Sequence, residues 1–259
     1  MKNVKMESAG DVIRFKLTIA YDGTGYAGWQ LQKNAVSVQQ RVEESLRKLF
    51  PGVMRVHSSS RTDTGVHAMG MAAHVDIPRA ELKMDERQLL LAVNAFLPED
   101  VRLNEVRKVK ADFHARFDAK KKQYRYVIWN HPAMNPLLRN RASQVAVPLD
   151  FERMQKAAKL FVGKKDFQSF ASAHEYKMKS TVRRVTGCKV CQRGSELTVV
   201  IEGEGFLYKM CRGIVGTLVL VGQRKLTQKD IREIFRKRDR QVAGMNAPAC
   251  GLTLWRVFY

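Results

Sequence analysis

Residues 13–21 alternate without a break, with Ile13, Phe15, Leu17, Ile19 and Tyr21 on one side and Arg14, Lys16 and Thr18 on the other. A period of two over this length is a strand with one buried face, so the chain must build a sheet that something else covers. What covers it follows directly. Ser37 with Gln40 three residues on has the spacing of a capping box. Val38, Val42, Leu46 and Leu49 then share a helical face until Pro51-Gly52 stops it. Asp85 and Gln88 open a second helix that runs through Phe96 to the stop at Pro98, and a further strand is expected at about 101–109.

The same grammar returns in the second half. Gln123 to Trp129 places Tyr124, Tyr126 and Ile128 on one strand face. Asp150 caps a helix with Phe151, Met154, Ala158 and Phe161 inward, closed by Gly163. Strands are expected at about 184–192 and 196–203, then a helix from about Phe206 to Val221 and another from Thr227, with Leu226 and Ile231 as its hydrophobic staple. The pattern predicts an α+β protein of two similar lobes, 11–112 and 113–259. A mixed, largely antiparallel central sheet is flanked by helices, and a cleft lies between the lobes.

Charge narrows the partner. Forty-six Lys and Arg stand against 25 Asp and Glu, a formal net charge of +21, and such an excess points to a polyanion. It is uneven: residues 1–130 carry 22 basic and 15 acidic side chains, residues 131–259 carry 24 and 10. The longest apolar stretch, Ile214 to Val221, is too short to span a bilayer. Met1 to Gly10 has no apolar segment of the secretory kind. Four cysteines in a chain of this size suit the reducing cytoplasm. Cys188 and Cys191 form a C-x-x-C without the second pair that a zinc site needs.

Two loops draw the eye. Gly23-Thr24-Gly25-Tyr26-Ala27-Gly28 matches a dinucleotide-binding turn after a strand, yet Trp29 to Val36 intervenes before the helix cap. A phosphate-binding turn runs straight into its helix, so these glycines are better read as letting backbone approach another chain or RNA. Ser58-Ser59-Ser60 and Gly65 bracket a second loop, Arg61-Thr62-Asp63-Thr64-Gly65-Val66-His67, with Ala72–Ile77 as a strand beyond it. A carboxylate set beside an arginine serves as nucleophile or electrostatic stabiliser rather than general acid. Read locally, Asp63 is more simply an Asx-turn residue, with Arg61 as a surface ion pair.

Four segments stand in register: Tyr21 to Gln30, Arg61 to Ala68, Asp112-Phe113-His114-Ala115-Arg116-Phe117-Asp118-Ala119 with Tyr124-Arg125-Tyr126, and Gly205-Phe206-Leu207-Tyr208-Lys209-Met210-Cys211-Arg212-Gly213-Ile214-Val215-Gly216. Together they closely resemble the TruA family of tRNA pseudouridine synthases, from about Phe15 to Ala249-Cys250-Gly251-Leu252 and beyond. The resemblance implies the pseudouridine synthase fold and isomerisation of uridine in the anticodon stem-loop of tRNA, at positions 38, 39 and 40. It also implies a homodimer, with no cofactor and no metal. By the same resemblance Asp63 is the essential carboxylate and Tyr124 packs against the target uracil. Arg212 pairs with the aspartate, and Arg61 helps to open the RNA and admit the base.

Taken singly, Tyr124 reads as a core aromatic, Arg212 as an arginine snorkelling from a helix, and His67, His74 and His114 as loop-orienting residues. Ser58-Ser59-Ser60, Lys209 and Gly213 depart from the family's usual residues and bear on the shape of the cleft. A tRNA-binding chaperone without chemistry, or a synthase acting on another structured RNA, are the other functions this sequence accommodates.

Overall fold

A computed structural model describes residues 11–53, 55–172 and 180–259. The stretch Met1 to Gly10, read above for a secretory signal, lies outside the described residues.

The elements run β1 (Val12–Tyr21), α1 (Val38–Leu49), β2 (His57–Ser58), β3 (His67–Pro78), α2 (Glu86–Phe96), β4 (Val101–Lys108) and β5 (Lys121–Trp129). They continue with β6 (Ser143–Gln144), α3 (Phe151–Ala158), β7 (Gly163–Asp166), β8 (Val182–Arg193), β9 (Glu196–Gly203), α4 (Met210–Gly222), α5 (Gln228–Lys237) and β10 (Leu252–Phe258). All ten strands join one mixed sheet in the order β4-β1-β3-β10-β5-β9-β8-β7, with β2 added to β3 and β6 to β5. Neighbours are antiparallel except β3 with β10 and β5 with β6.

The alternation in β1 places Leu17 and Ile19 wholly inside, where each contributes about 1.5–3 kcal/mol by burial. One apolar cluster extends from Ile13 through Tyr124 and Ile214 to Leu254. Capping sets the helix starts. Asp85 with Gln88 and Thr227 with Asp230 form complete capping boxes. At α1 only half the box exists. Ser37 accepts from the Gln40 backbone N–H, while the Gln40 side chain donates to Glu44 instead of reaching back.

Two expectations needed correction. The fourth helix begins at Met210 rather than Phe206, because Lys209 takes the left-handed conformation at φ 57° and the chain turns there before it coils. The strand after the Asp63 loop starts at His67, five residues earlier than its alternation suggested. Its residues are mostly small and buried on both faces, which erases the period of two. The C-terminal strand β10 had no expectation at all. It is the strand that joins the two ends of the sheet, parallel to β3 through Thr253 with His67 and Leu254 with Ala68, and antiparallel to β5.

Candidate active site

The loop between β2 and β3 carries Arg61 and Asp63, and it is held from below by the glycine-rich segment. Trp29 N–H donates to the Thr62 carbonyl at 3.2 Å and Gly65 N–H to the Tyr26 carbonyl at 3.4 Å. The buried Tyr21 hydroxyl meets Thr62 Oγ1 at 2.7 Å. Such contact requires bare backbone. A Cβ on Gly23 would collide with the Val66 carbonyl, and one on Gly28, at φ 92°, with the Thr62 carbonyl. The glycines therefore do permit close backbone approach, and what they approach in this structure is the chain's own Asp63 loop.

From the other side comes α4. The left-handed turn at Lys209 starts this helix at Met210 and so sets Arg212 in its first turn. Arg212 Nη1 donates to Asp63 Oδ2 at 3.2 Å, and Arg212 Nε donates to the Ala247 carbonyl at 2.7 Å. Both side chains are largely buried, at 14% and 19% exposure. A guanidinium this enclosed would be costly unpaired, and Asp63 supplies the opposite charge. Gly213, the family departure beside it, has a local reason: a Cβ there would run into the Phe170 carbonyl.

Tyr124 stands on β5 between Leu254 of β10 and Ile201 of β9. Its ring meets Phe206 edge-on at 5.2 Å between centroids. Burial pushes its phenol far above the usual range, and the Cys211 thiol and the Asp63 carboxylate push the same way. The phenol is therefore neutral and within electrostatic reach of Asp63. The structure thus gathers Asp63, Arg212 and Tyr124 from three separate elements. Arg61 does not join them. It is exposed and forms no ion pair with a described residue, so the cation beside Asp63 is Arg212 and not its sequence neighbour.

Further residues complete the assembly. His67 accepts the Gly23 N–H at Nδ1, 3.0 Å away, and its Nε2 faces the Cys250 carbonyl at 3.0 Å. The Asp22 carboxylate also stands 3.1 Å from Nδ1, so this ring ties the glycine-rich segment to segment 247–251. Tyr126 hydroxyl donates to the Pro248 carbonyl at 2.9 Å. Segment 247–251 is thereby tied to Arg212, His67 and Tyr126 at once. No periodicity marks such a segment, since its carbonyls and not its side chains make the bonds. Cys188 and Cys191 fall on opposite faces of β8, one buried and one exposed, and all four cysteines are free. No helix among the described residues is long and apolar enough to cross a membrane.

A ten-stranded mixed sheet flanked by helices is the pseudouridine synthase fold. The chain belongs to the tRNA pseudouridine synthase family, whose model matches residues 17–118 and 157–259. Among proteins named tRNA pseudouridine synthase A, that of Brevibacillus brevis is 44% identical over 246 residues, covering 95% of this chain and 99% of that protein. That of Ruminiclostridium cellulolyticum is 41% identical over 247 residues, with coverage of 95% and 99%. The Methylacidiphilum infernorum protein is 39% identical over 248 residues, with 96% of each chain covered. Pseudouridine synthases are isomerases.

Proposed function

We propose that this chain converts uridine to pseudouridine at positions 38, 39 and 40 of the tRNA anticodon stem-loop, without a cofactor, with Asp63 as the essential carboxylate. The observation that carries this reading is the Asp63–Arg212 pair at 3.2 Å beside the Tyr124 ring. Isomerisation leaves the composition of the substrate unchanged. The bond from C1′ to N1 breaks, the uracil rotates, a bond from C1′ to C5 forms, and C5 gives up a proton to the solvent while N1 takes one from it. The site needs only a carboxylate that acts at the ribose, a cation that fixes its orientation, and a surface that retains the detached base.

Each residue has one of these tasks. Asp63 assists cleavage of the glycosidic bond, and attack at the sugar and elimination to a glycal both begin from the same oxygen. Arg212 aims that oxygen, because its second bond to Ala247 leaves its guanidinium no freedom to swing. Tyr124 offers a ring on which the base stacks. Unstacking the target from the RNA costs a few kcal/mol, and stacking on a protein aromatic returns about 1–3 kcal/mol. Arg61, exposed at the loop tip, is placed to meet the RNA strand as the base leaves it. The charge of +21 supplies the attraction for tRNA. The protein works as a homodimer in the cytoplasm.

The test is pseudouridine mapping on an anticodon stem-loop tRNA with the wild-type protein and with Asp63→Ala. The reading requires conversion by the wild type alone, with tRNA still bound by the variant. Conversion by Asp63→Ala at the wild-type rate would refute the role given to Asp63.

A further inference from the structure

Lys122, Tyr124 and Tyr126 share one face of β5, and the cations on that strand divide sharply by face. On the outer face Lys121 pairs with Glu202 at 2.9 Å, and the Arg125 guanidinium stacks over Trp255 at 3.8 Å. On the inner face Lys122 is largely enclosed, and its ammonium donates to the Ser59 carbonyl at 2.6 Å. An ammonium has three hydrogens to donate, and no carboxylate pairs with this one among the described residues. The charged neighbour that acts on it is another cation, Arg116, at the exposed turn after His114. Arg116 likewise pairs with no described carboxylate. An enclosed ammonium that holds one carbonyl and pairs with no described carboxylate marks a place where the anion arrives with the ligand.

We propose that Lys122 and Arg116 seat a backbone phosphodiester flanking the target uridine, and that this contact registers the nucleotide over Tyr124. This rests on the function proposed above. Lys122 stands two residues from Tyr124 along the strand, about 6.6 Å, a spacing comparable to that between a base and its own backbone phosphate. The same ammonium holds Ser59, at the root of the loop that presents Asp63. Phosphate, carboxylate loop and stacking ring are thus referred to one side chain. Burial, with Arg116 adding to it, pushes Lys122 down to about 8. An incoming phosphate opposes both effects by favouring the charged ammonium.

The experiment replaces single phosphodiesters on either side of a uridine that the wild-type protein converts with uncharged methylphosphonates. It then compares wild type, Lys122→Gln, Lys122→Arg and Arg116→Gln. One linkage is expected to stand out, costing wild type about tenfold in kcat/KM, mostly through KM. Arg116→Gln and Lys122→Gln should show a similar loss on unmodified RNA and little further loss on the methylphosphonate. Lys122→Arg should retain most of the contact. Arg116 is exposed, so its variant reports even where Lys122→Gln folds poorly. Indifference of the wild type to every flanking methylphosphonate would overturn the proposal. So would variant and methylphosphonate losses that simply multiply, or a kcat loss confined to Lys122 variants, which is what a purely structural bond to Ser59 gives. Failure of the wild type to convert any uridine in the unmodified RNA would remove the underlying function, and the proposal with it.

Discussion

Arg212 and Asp63 are 149 residues apart in the chain, yet one guanidinium nitrogen bonds the carboxylate at 3.2 Å while another bonds the Ala247 carbonyl at 2.7 Å. The arginine is a brace between the Asp63 loop and segment 247–251. Its planar fork allows both bonds at once, which a point-charge ammonium does not.

Arg212→Lys is therefore not conservative. It leaves either Asp63 or Ala247 without its donor, at about 1–3 kcal/mol for the orphaned group. Single-turnover conversion should fall at least about a hundredfold, with a smaller change in tRNA affinity. A lysine variant with a wild-type rate would show that the bidentate geometry is unnecessary.

Gly28 and Gly25 make a controlled pair. Gly28→Ala brings a methyl against the Thr62 carbonyl at a backbone φ of 92°, so the loop must shift. A displacement of about 1 Å at Asp63 is worth on the order of a hundredfold in rate. Gly25 has nothing within 4 Å of its would-be Cβ, and Gly25→Ala should change stability by no more than about 0.5 kcal/mol and leave turnover intact. Equal effects at the two positions would contradict the packing described here.

Tyr124→Leu retains apolar bulk but loses the stacking face. Loss of about 1–3 kcal/mol of stacking should weaken anticodon stem-loop binding by the Asp63→Ala protein by roughly five- to 150-fold. Tyr124→Phe should bind nearly as wild type. Filter binding with both double variants tests this, and an unchanged affinity for the leucine form would remove the stacking role.

His74 sets a pH limit on stability. Burial, reinforced by Arg14, His57 and His114 and opposed by Asp76, pushes its imidazole from 6.5 down to about 4. Between those values the unfolded chain binds a proton that the fold refuses, so stability falls as pH drops through that window and is level above it. The loss should be on the order of 3 kcal/mol, read from urea midpoints across the window. His57, shifted down by burial and Arg55, acts in the same direction. His74→Asn, whose Oδ1 can accept the Ala115 N–H in place of Nδ1, should flatten the slope. A slope as steep as wild type would assign the effect elsewhere.

Legibility followed the range of the forces. β1 and β5 were plain because alternation is local, and α2 and α5 because their caps act within three residues. β3 was read short because burial on both faces hides its period. Phe206 to Lys209 looked helical because nothing in the sequence announces a left-handed lysine. β10 was missed because its place depends on two strands far away in the chain. At the site, Asp63 was visible as a carboxylate among turn residues, but local spacing nominated Arg61 as its neighbour. Only the family resemblance pointed to Arg212. Lys122 went unnoticed because a basic residue on a strand reads as solvated, and its enclosure comes from Ser59, 63 positions earlier.

The place of β10 has a consequence for when the protein becomes competent. A ribosome releases β4, β1 and β3 first and β5, β9, β8 and β7 later, and the strand that joins these groups emerges after all of them. Segment 247–251, which steadies Arg212 and His67, precedes it by only a few residues. A nascent chain therefore carries Asp63 for most of its synthesis without the brace that aims it. Products of interrupted translation should be basic RNA-binding fragments with no power to modify the tRNAs crowded around the ribosome that made them.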